Sequence, residues 1–341
     1  MTGNQYKDFE HAFAPYVRIL GKGRKGSRAL TEAEAHAAMT MILRGEVLDV
    51  QLGAFLMLLR VKEETGEEIA GFVRAARDAM DSGRRLLHAD LDWASYAGKK
   101  NHLPWYLLAA QLLARNGIRI LMHGAGGHTL NRVYSEQALE VLGIGTAQSF
   151  ADAAARLERD RFAYLPLAVM SPPLAKIIDL RNVLGLRSPV HTLARLLNPA
   201  DAPHVFHGIF HPSYRPIHQE AALLLGYRNL AVIKGEAGET ERRPDAITAV
   251  LRAVVDEASP QGRLFSEEWP AMFGGRQQKE ESLDLSVLSR VWRGEQEHPY
   301  GEAAVVGTAA MALQLTGRAA TQEAAQALAG DWWRVRDRKL F

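Results

Sequence analysis

The chain has 341 residues, of which 47% are apolar and 23% charged, with a formal net charge of +2 and no cysteine. That composition belongs to a folded globular protein with ample length for a core, and the absence of thiols excludes disulfides, thiolate metal sites and cysteine nucleophiles. The small net charge names no partner, so any electropositive surface must come from clustering.

No run of about 18 apolar residues suggests a membrane span, and MTGNQYKDFEHAFAPYVRIL at the start lacks the apolar core of a signal peptide. The expectation is a cytoplasmic protein with no membrane partner. Residues 1–83 read as an all-helical N-terminal domain. Thr31 and Glu34 have the spacing of a capping box and predict a helix to about Arg44, ended by Gly45. A second helix begins near Asp49, where Leu52, Phe55, Leu56 and Leu59 form a buried stripe. Thr65 and Glu68 repeat the capping box and open a third helix, ended by Ser82-Gly83.

Residues 84–341 read as a larger α/β domain. GIRILMHG (117–124), RFAYLPLA (161–168), HVFHGIF (204–210) and NLAVIKG (229–235) predict strands. SEQALEVLG, SPPLAKIIDLRNVLG and HPSYRPIHQEAALLLG lie between them as helices, each ending on glycine. Alternating strands and helices predict a mostly parallel central sheet flanked by helices. Residues 239–297 are more charged and yield no clear element, and the remaining tail returns to helical patterning.

Several stretches resemble a known family. LTEAEAHAAMTMILRGEVLDVQLGAFLMLLRVKEETGEEIAGFVRAAR is similar to the helical domain of anthranilate phosphoribosyltransferases and related nucleoside phosphorylases. IIDLRNVLGLRSPVHTLARLLNPA and FHPSYRPIHQEAALLLGYRNLAVIKGEAGETERRP are similar to successive blocks of its α/β domain, in the same order. The resemblance implies a homodimer joined through the helical domain.

It also implies site positions, and here the chain departs from the enzymes. Their Gly-Thr-Gly-Gly-Asp-Gly loop wraps a diphosphate with backbone amides, which needs glycines for close approach. Counted back from His123-Gly124, that loop falls on Ala94-Ser95-Tyr96-Ala97-Gly98-Lys99, with one glycine left. The Asn-Ile-Ser-Thr helix start falls on Pro104-Trp105-Tyr106-Leu107, and Lys-His-Gly-Asn-Arg falls on Met122-His123-Gly124-Ala125-Gly126. The metal-binding Asp-Glu pair falls on Thr240-Glu241, where Glu236, Glu239 and Glu241 remain as possible oxygen ligands. The arginine that holds an aromatic acid corresponds to Arg181, and Gly-Pro-Leu becomes Ala194-Arg195-Leu196. This pattern resembles the YbiB-type second branch of the family, through SYAGKK and HLPW, which implies nucleic-acid binding instead of tryptophan synthesis.

The residues support that expectation on their own terms. Binding without base readout needs cations along the phosphates and aromatic faces for stacking. Lys22, Arg24 and Lys25 lie in a glycine-rich loop; Lys99, Lys100 and His102 stand at the former diphosphate loop beside Trp105 and Tyr106; Arg181, Arg187 and Arg195 share one block. With His123 these are the candidate nucleic-acid- or phosphate-binding residues, for single-stranded DNA or RNA held electrostatically with little sequence specificity. Trp105 and Tyr106 read equally as the start of a buried helix, and Lys99 and Lys100 equally as binders of phosphate or sulfate. His204, His207, His211 and His218 span a strand and a turn and lack a His-Glu-x-x-His pattern, so no metal site is expected. No cofactor is expected either. The alternative is an enzyme transferring phosphoribose, from phosphoribosyl pyrophosphate with magnesium, to an aromatic or nucleobase-like acceptor.

Overall fold

The computed structural model of the protein describes residues 10–23, 25–276, 279–280 and 282–341. The expected Arg24 contact therefore lies outside the described residues. The chain opens with α1 (Ala14–Gly21), α2 (Glu32–Leu43), α3 (Asp49–Lys62) and α4 (Gly66–Asp78). Both expected capping boxes form: the Thr31 hydroxyl accepts from the Glu34 amide at 3.2 Å, and the Glu34 carboxylate accepts from the Thr31 amide at 2.9 Å. In the second box Glu68 accepts from the Thr65 amide at 2.9 Å. Glu68 is itself buried and also accepts from Lys62 and from the Leu30 amide, tying α3, α4 and the α1–α2 loop together.

After a 3₁₀ turn at Ser82–Leu86 come β1 (Leu91–Ser95), α5 (Trp105–Arg115), β2 (Ile120–Gly124), α6 (Ser135–Val141), α7 (Phe150–Asp160) and β3 (Phe162–Pro166). Next are α8 (Leu167–Met170), α9 (Pro172–Asp179), α10 (Arg181–Leu184) and α11 (Val190–Leu193). The rest comprises β4 (His204–Gly208), α12 (Tyr214–Leu224), β5 (Asn229–Ile233), β6 (Thr248–Asp256), β7 (Ser259–Trp269), α13 (Ser286–Arg293), α14 (Pro299–Leu315) and α15 (Gln322–Arg334). The seven-stranded sheet has the order β3-β2-β1-β4-β5-β6-β7. The five strands from β3 to β5 are parallel, and β6 and β7 close the far edge antiparallel.

Two parts of the sheet have no counterpart in the expected set of apolar runs. β1 carries Asp92 in its middle, yet it is a central strand and wholly buried. The β6–β7 hairpin lies in the charged 239–297 region; β7 is mostly exposed, so its face toward solvent dilutes the apolar signal. Gly143, Gly185 and Gly226 end the helical segments with φ of 71°, 72° and 73°, left-handed positions where glycine has no Cβ to clash.

One face of the sheet shares a core with the helical domain, including Phe55, Phe72, Leu121 and Val205. The other packs on α5, α13, α14 and α15 around Trp93, Trp105 and Trp292. Trp105 and Tyr106 are fully buried at the start of α5, as their packing reading expects. The chain winds outward from β1 to β3 on one side and from β4 to β5 on the other. The crevice beyond the carboxyl ends of β1 and β4 is therefore a topological switch point, the place where open α/β sheets bind ligands.

Candidate functional site

Four loops meet at that crevice: Tyr96–Lys100 after β1, Ala125–Tyr134 after β2, Ile209–Ser213 after β4 and Lys234–Glu241 after β5. Gly208 and Gly235 let the last of these close down on the strand ends. A Cβ on Gly235 would lie 1.5 Å from the Glu239 carbonyl oxygen, and one on Gly208 would lie 2.1 Å from the same atom. The closed loop delivers carboxylates to the β1 loop. Glu239 Oε1 accepts from the backbone amides of Ala97 at 2.6 Å and Gly98 at 2.5 Å. Gly98 adopts φ of 70°, which aims both amides at one point. The amide nest that the resemblance implies for a diphosphate is filled by the chain's own carboxylate.

Lys99 completes the closure. It is 0% exposed, with its ammonium against Glu241 and 2.5 Å from Glu236. Burial disfavours the charged ammonium, but Glu241 and Glu236 outweigh it and hold the Lys99 pKa above its ordinary value. Burial, and then repulsion from Glu236, push Glu241 upward against the attraction of Lys99, because two carboxylates share one ammonium. Glu241 also accepts from the Tyr106 amide at 2.9 Å, at the start of α5. The Arg132 guanidinium straps the loop from outside, donating to the Ala97 and Gly98 carbonyls at 2.9 Å each. Lys99, expected among the nucleic-acid- or phosphate-binding residues, is instead buried and paired with the chain's own carboxylates.

Two other expected residues also turn inward. His123 is fully buried between Tyr96, whose hydroxyl lies 2.8 Å from Nδ1, and Asp92, 3.3 Å from Nε2. His102 stacks on Tyr300 with ring centroids 4.3 Å apart. Neither presents its imidazole to a strand on the surface. Lys22 and Lys25 are exposed between α1 and α2, and neither lines the crevice cavities described below.

The remaining cations do converge. A cavity of about 90 Å³ opens between the helical domain and the crevice, lined by Arg60 of α3, Arg187, Arg195, Ser188, His191 and His218, with apolar walls from Ile209, Phe210 and Tyr214. Arg195 is 6% exposed and donates to the Gly208 and His191 carbonyls. Arg181 lies behind this wall and donates to the His128 carbonyl at 3.1 Å. Burial, and then Arg195 and Arg132, push Arg187 down to about 10. A second basin of about 300 Å³ is lined by Lys100, Arg132, Lys234 and Arg243, with Glu236 in its wall. Lys100 and Lys234 are exposed with no ion-pair partner among the described residues. Phe210, 53% exposed, borders both spaces. Together they form a basic groove with an aromatic face at its middle.

Sequence reasoning missed Arg60, Arg132, Lys234 and Phe210. Lys234 and Phe210 had a usable signal, since each stands just past the carboxyl end of a parallel strand. Among the described residues, no group of three or more histidines and carboxylates is arranged to hold a metal ion. No helix among them is long and apolar enough to cross a membrane.

The helical-bundle domain of a glycosyl transferase family matches residues 16–80, and an α/β domain of a glycosyl transferase family matches residues 105–334. The chain is 29% identical over 269 residues to an uncharacterized protein of Aquifex aeolicus (strain VF5), covering 78% of this chain and 82% of that one. It is 29% identical over 188 residues to the uncharacterized protein YbiB of Escherichia coli (strain K12), covering 54% of this chain and 58% of that one. Anthranilate phosphoribosyltransferase from Thermus thermophilus superposes with a TM-score of 0.72 at 22% identity, over 95% of this chain and 94% of that chain, a likeness of fold.

Proposed function

The chain belongs to the glycosyl transferase family and is anthranilate phosphoribosyltransferase-like and YbiB-like, and we propose that it binds nucleic acid, as single-stranded DNA or RNA, in its basic groove. The observation that carries this reading is the run of cations from Arg60, Arg187 and Arg195, past exposed Phe210, to Lys100 and Lys234. Side chains of this kind neutralise phosphates and offer a ring for any base, so the binding has little sequence specificity. It needs no cofactor.

Phosphoribose transfer is the competing reading. It would require the amides of Ala97 and Gly98 to receive a diphosphate, and they are held by Glu239. Magnesium would require carboxylates, and Glu241 and Glu236 are committed to Lys99. Support for the binding reading therefore comes from both the groove and the filled nest.

We propose further that the protein acts in the cytoplasm as a homodimer through its helical domain. Val50 and Val61 on α3 are 75% and 83% exposed, and Ala54 and Met57 continue the same helical face between them. The groove is tested by reversing Lys100 and Lys234 to glutamate together. Affinity for a fluorescent single-stranded oligonucleotide should fall by about 100-fold at low salt while the melting temperature holds. Unchanged affinity in a folded double variant would remove the groove from the account.

A further inference from the structure

The cavity beside α3 has a charge pattern that the groove as a whole does not. Among the described residues, Arg60, Arg187 and Arg195 line it and no carboxylate does. Arg187 has neither a hydrogen bond nor an ion pair among them, although its neighbours Arg195, Arg132 and Arg181 repel it. The second basin differs, because Glu236 stands in its wall and Arg243 is paired with Asp245 at 3.0 Å.

The same cavity wall carries buried polar atoms without partners. Ser188 Oγ, His191 Nε2 and both ring nitrogens of His218 have no hydrogen bond among the described residues, and these residues are 4%, 4% and 0% exposed. Buried polar atoms are almost always paired in folded proteins. Arg60 donates to the Tyr214 hydroxyl and acts on Glu64, and the Arg195 charge is favoured by Glu239, so among the described residues Arg187 is the cation of this wall with no partner. The unpartnered polar atoms beside Arg187 call for an anionic ligand with several oxygens. His191 Nδ1 lies 3.2 Å from the Ser188 carbonyl, which leaves Nε2 as the ring's unpartnered nitrogen.

The charge of the ligand can be narrowed. An internal phosphodiester of a strand carries one negative charge, whereas a phosphate monoester carries about 1.5 to 2 at neutral pH and offers three acceptor oxygens. Guanidinium groups suit such an oxyanion through paired N–H donors. Ile209, Phe210 and Tyr214 give the cavity mouth an apolar side, which suits the sugar or base face next to such a phosphate.

We propose that this cavity is a phosphomonoester subsite, and that it holds the terminal phosphate of a strand whose body runs past Phe210 onto the Lys100–Lys234 basin. The second half of this proposal rests on the nucleic-acid reading; the first does not.

The test compares one single-stranded oligonucleotide in three forms: a 5′-phosphate, a 3′-phosphate, and hydroxyls at both ends. Fluorescence anisotropy is read with the full-length protein, and adenosine 5′-monophosphate is titrated separately by calorimetry. One phosphorylated form should bind about tenfold tighter than the hydroxyl form. Arg187→Ala and Ser188→Ala should each shrink that ratio toward one. Lys234→Ala should weaken all forms alike and keep the ratio. Equal affinity for all forms, with the monophosphate bound and lost in Arg187→Ala, would keep the monoester site and overturn its assignment to strand ends. Equal affinity with no binding of the monophosphate would overturn the subsite and leave the groove intact. Failure of every oligonucleotide to bind would overturn the nucleic-acid reading, and the monophosphate titration would still decide the subsite.

Discussion

Glu239 and Gly98 lie 141 residues apart in sequence, and the carboxylate of the first accepts the backbone amide of the second at 2.5 Å. The same oxygen accepts from Ala97, so one side chain occupies the anion nest at the end of β1. Replacing Glu239 with alanine should destabilise the fold by about 1–3 kcal/mol, because two buried amides lose their acceptor. It should also expose the nest. Inorganic pyrophosphate at millimolar concentration is expected to raise the melting temperature of Glu239→Ala by more than that of the parent chain. An equal shift in both proteins would show that the substitution opens no new anion site.

Lys99 and Lys234 should separate cleanly. Lys99→Met leaves two buried carboxylates facing each other and should cost about 3–5 kcal/mol in a denaturant titration. The salt dependence of oligonucleotide binding by the folded variant should not change. Lys234→Ala should leave stability near that of the parent and reduce the slope of log affinity against log salt by about 0.7, the value for one single-strand phosphate contact. A slope change in Lys99→Met and none in Lys234→Ala would reverse these roles.

Glu64 gives a pH dependence. It is 3% exposed, and burial pushes its carboxyl up to about 7 from an ordinary 4.5. The folded state thus binds this proton more tightly than the unfolded chain. Its contribution is fully present below about 4.5 and is lost as pH rises through about 7. Glu64→Gln should therefore gain stability relative to the parent across that window, by on the order of 2–3 kcal/mol at pH 8. Denaturant midpoints for the two proteins at pH 5 and pH 8 check this. A constant difference between them would remove the buried ionisation.

The helical-domain dimer is tested on α3. Val61→Glu places a charge on a side chain that is 83% exposed in the single chain. If this face joins two copies, light scattering should show a monomer for the variant and a dimer for the parent at micromolar concentration. Two dimers, or two monomers, would move the interface elsewhere or remove it.

Much of the scaffold was legible because its signals are local. Thr31 and Glu34, or Thr65 and Glu68, need only each other to start a helix. β1 was hidden because Asp92 breaks its apolar run, and the His123 ring that meets this carboxylate sits on the neighbouring strand. β7 was hidden because it is an edge strand, half turned to solvent. The site was legible only in outline. Arg187 and Arg195, singled out by residue type, line the cavity. Residue types could not reveal that Lys99 would meet Glu241, 142 positions away, since that pairing follows from β1, β4 and β5 lying side by side.

The most direct test of the central claim is a titration of a fluorescent single-stranded oligonucleotide with hydroxyls at both ends at several salt concentrations, repeated with phosphoribosyl pyrophosphate and magnesium as competitor. With about four or five phosphates contacted, log affinity should fall against log salt with a slope of about −3, and the competitor should leave binding intact. Binding insensitive to salt, or no oligonucleotide binding together with a thermal shift by phosphoribosyl pyrophosphate, would contradict it and put the phosphoribosyl enzyme first.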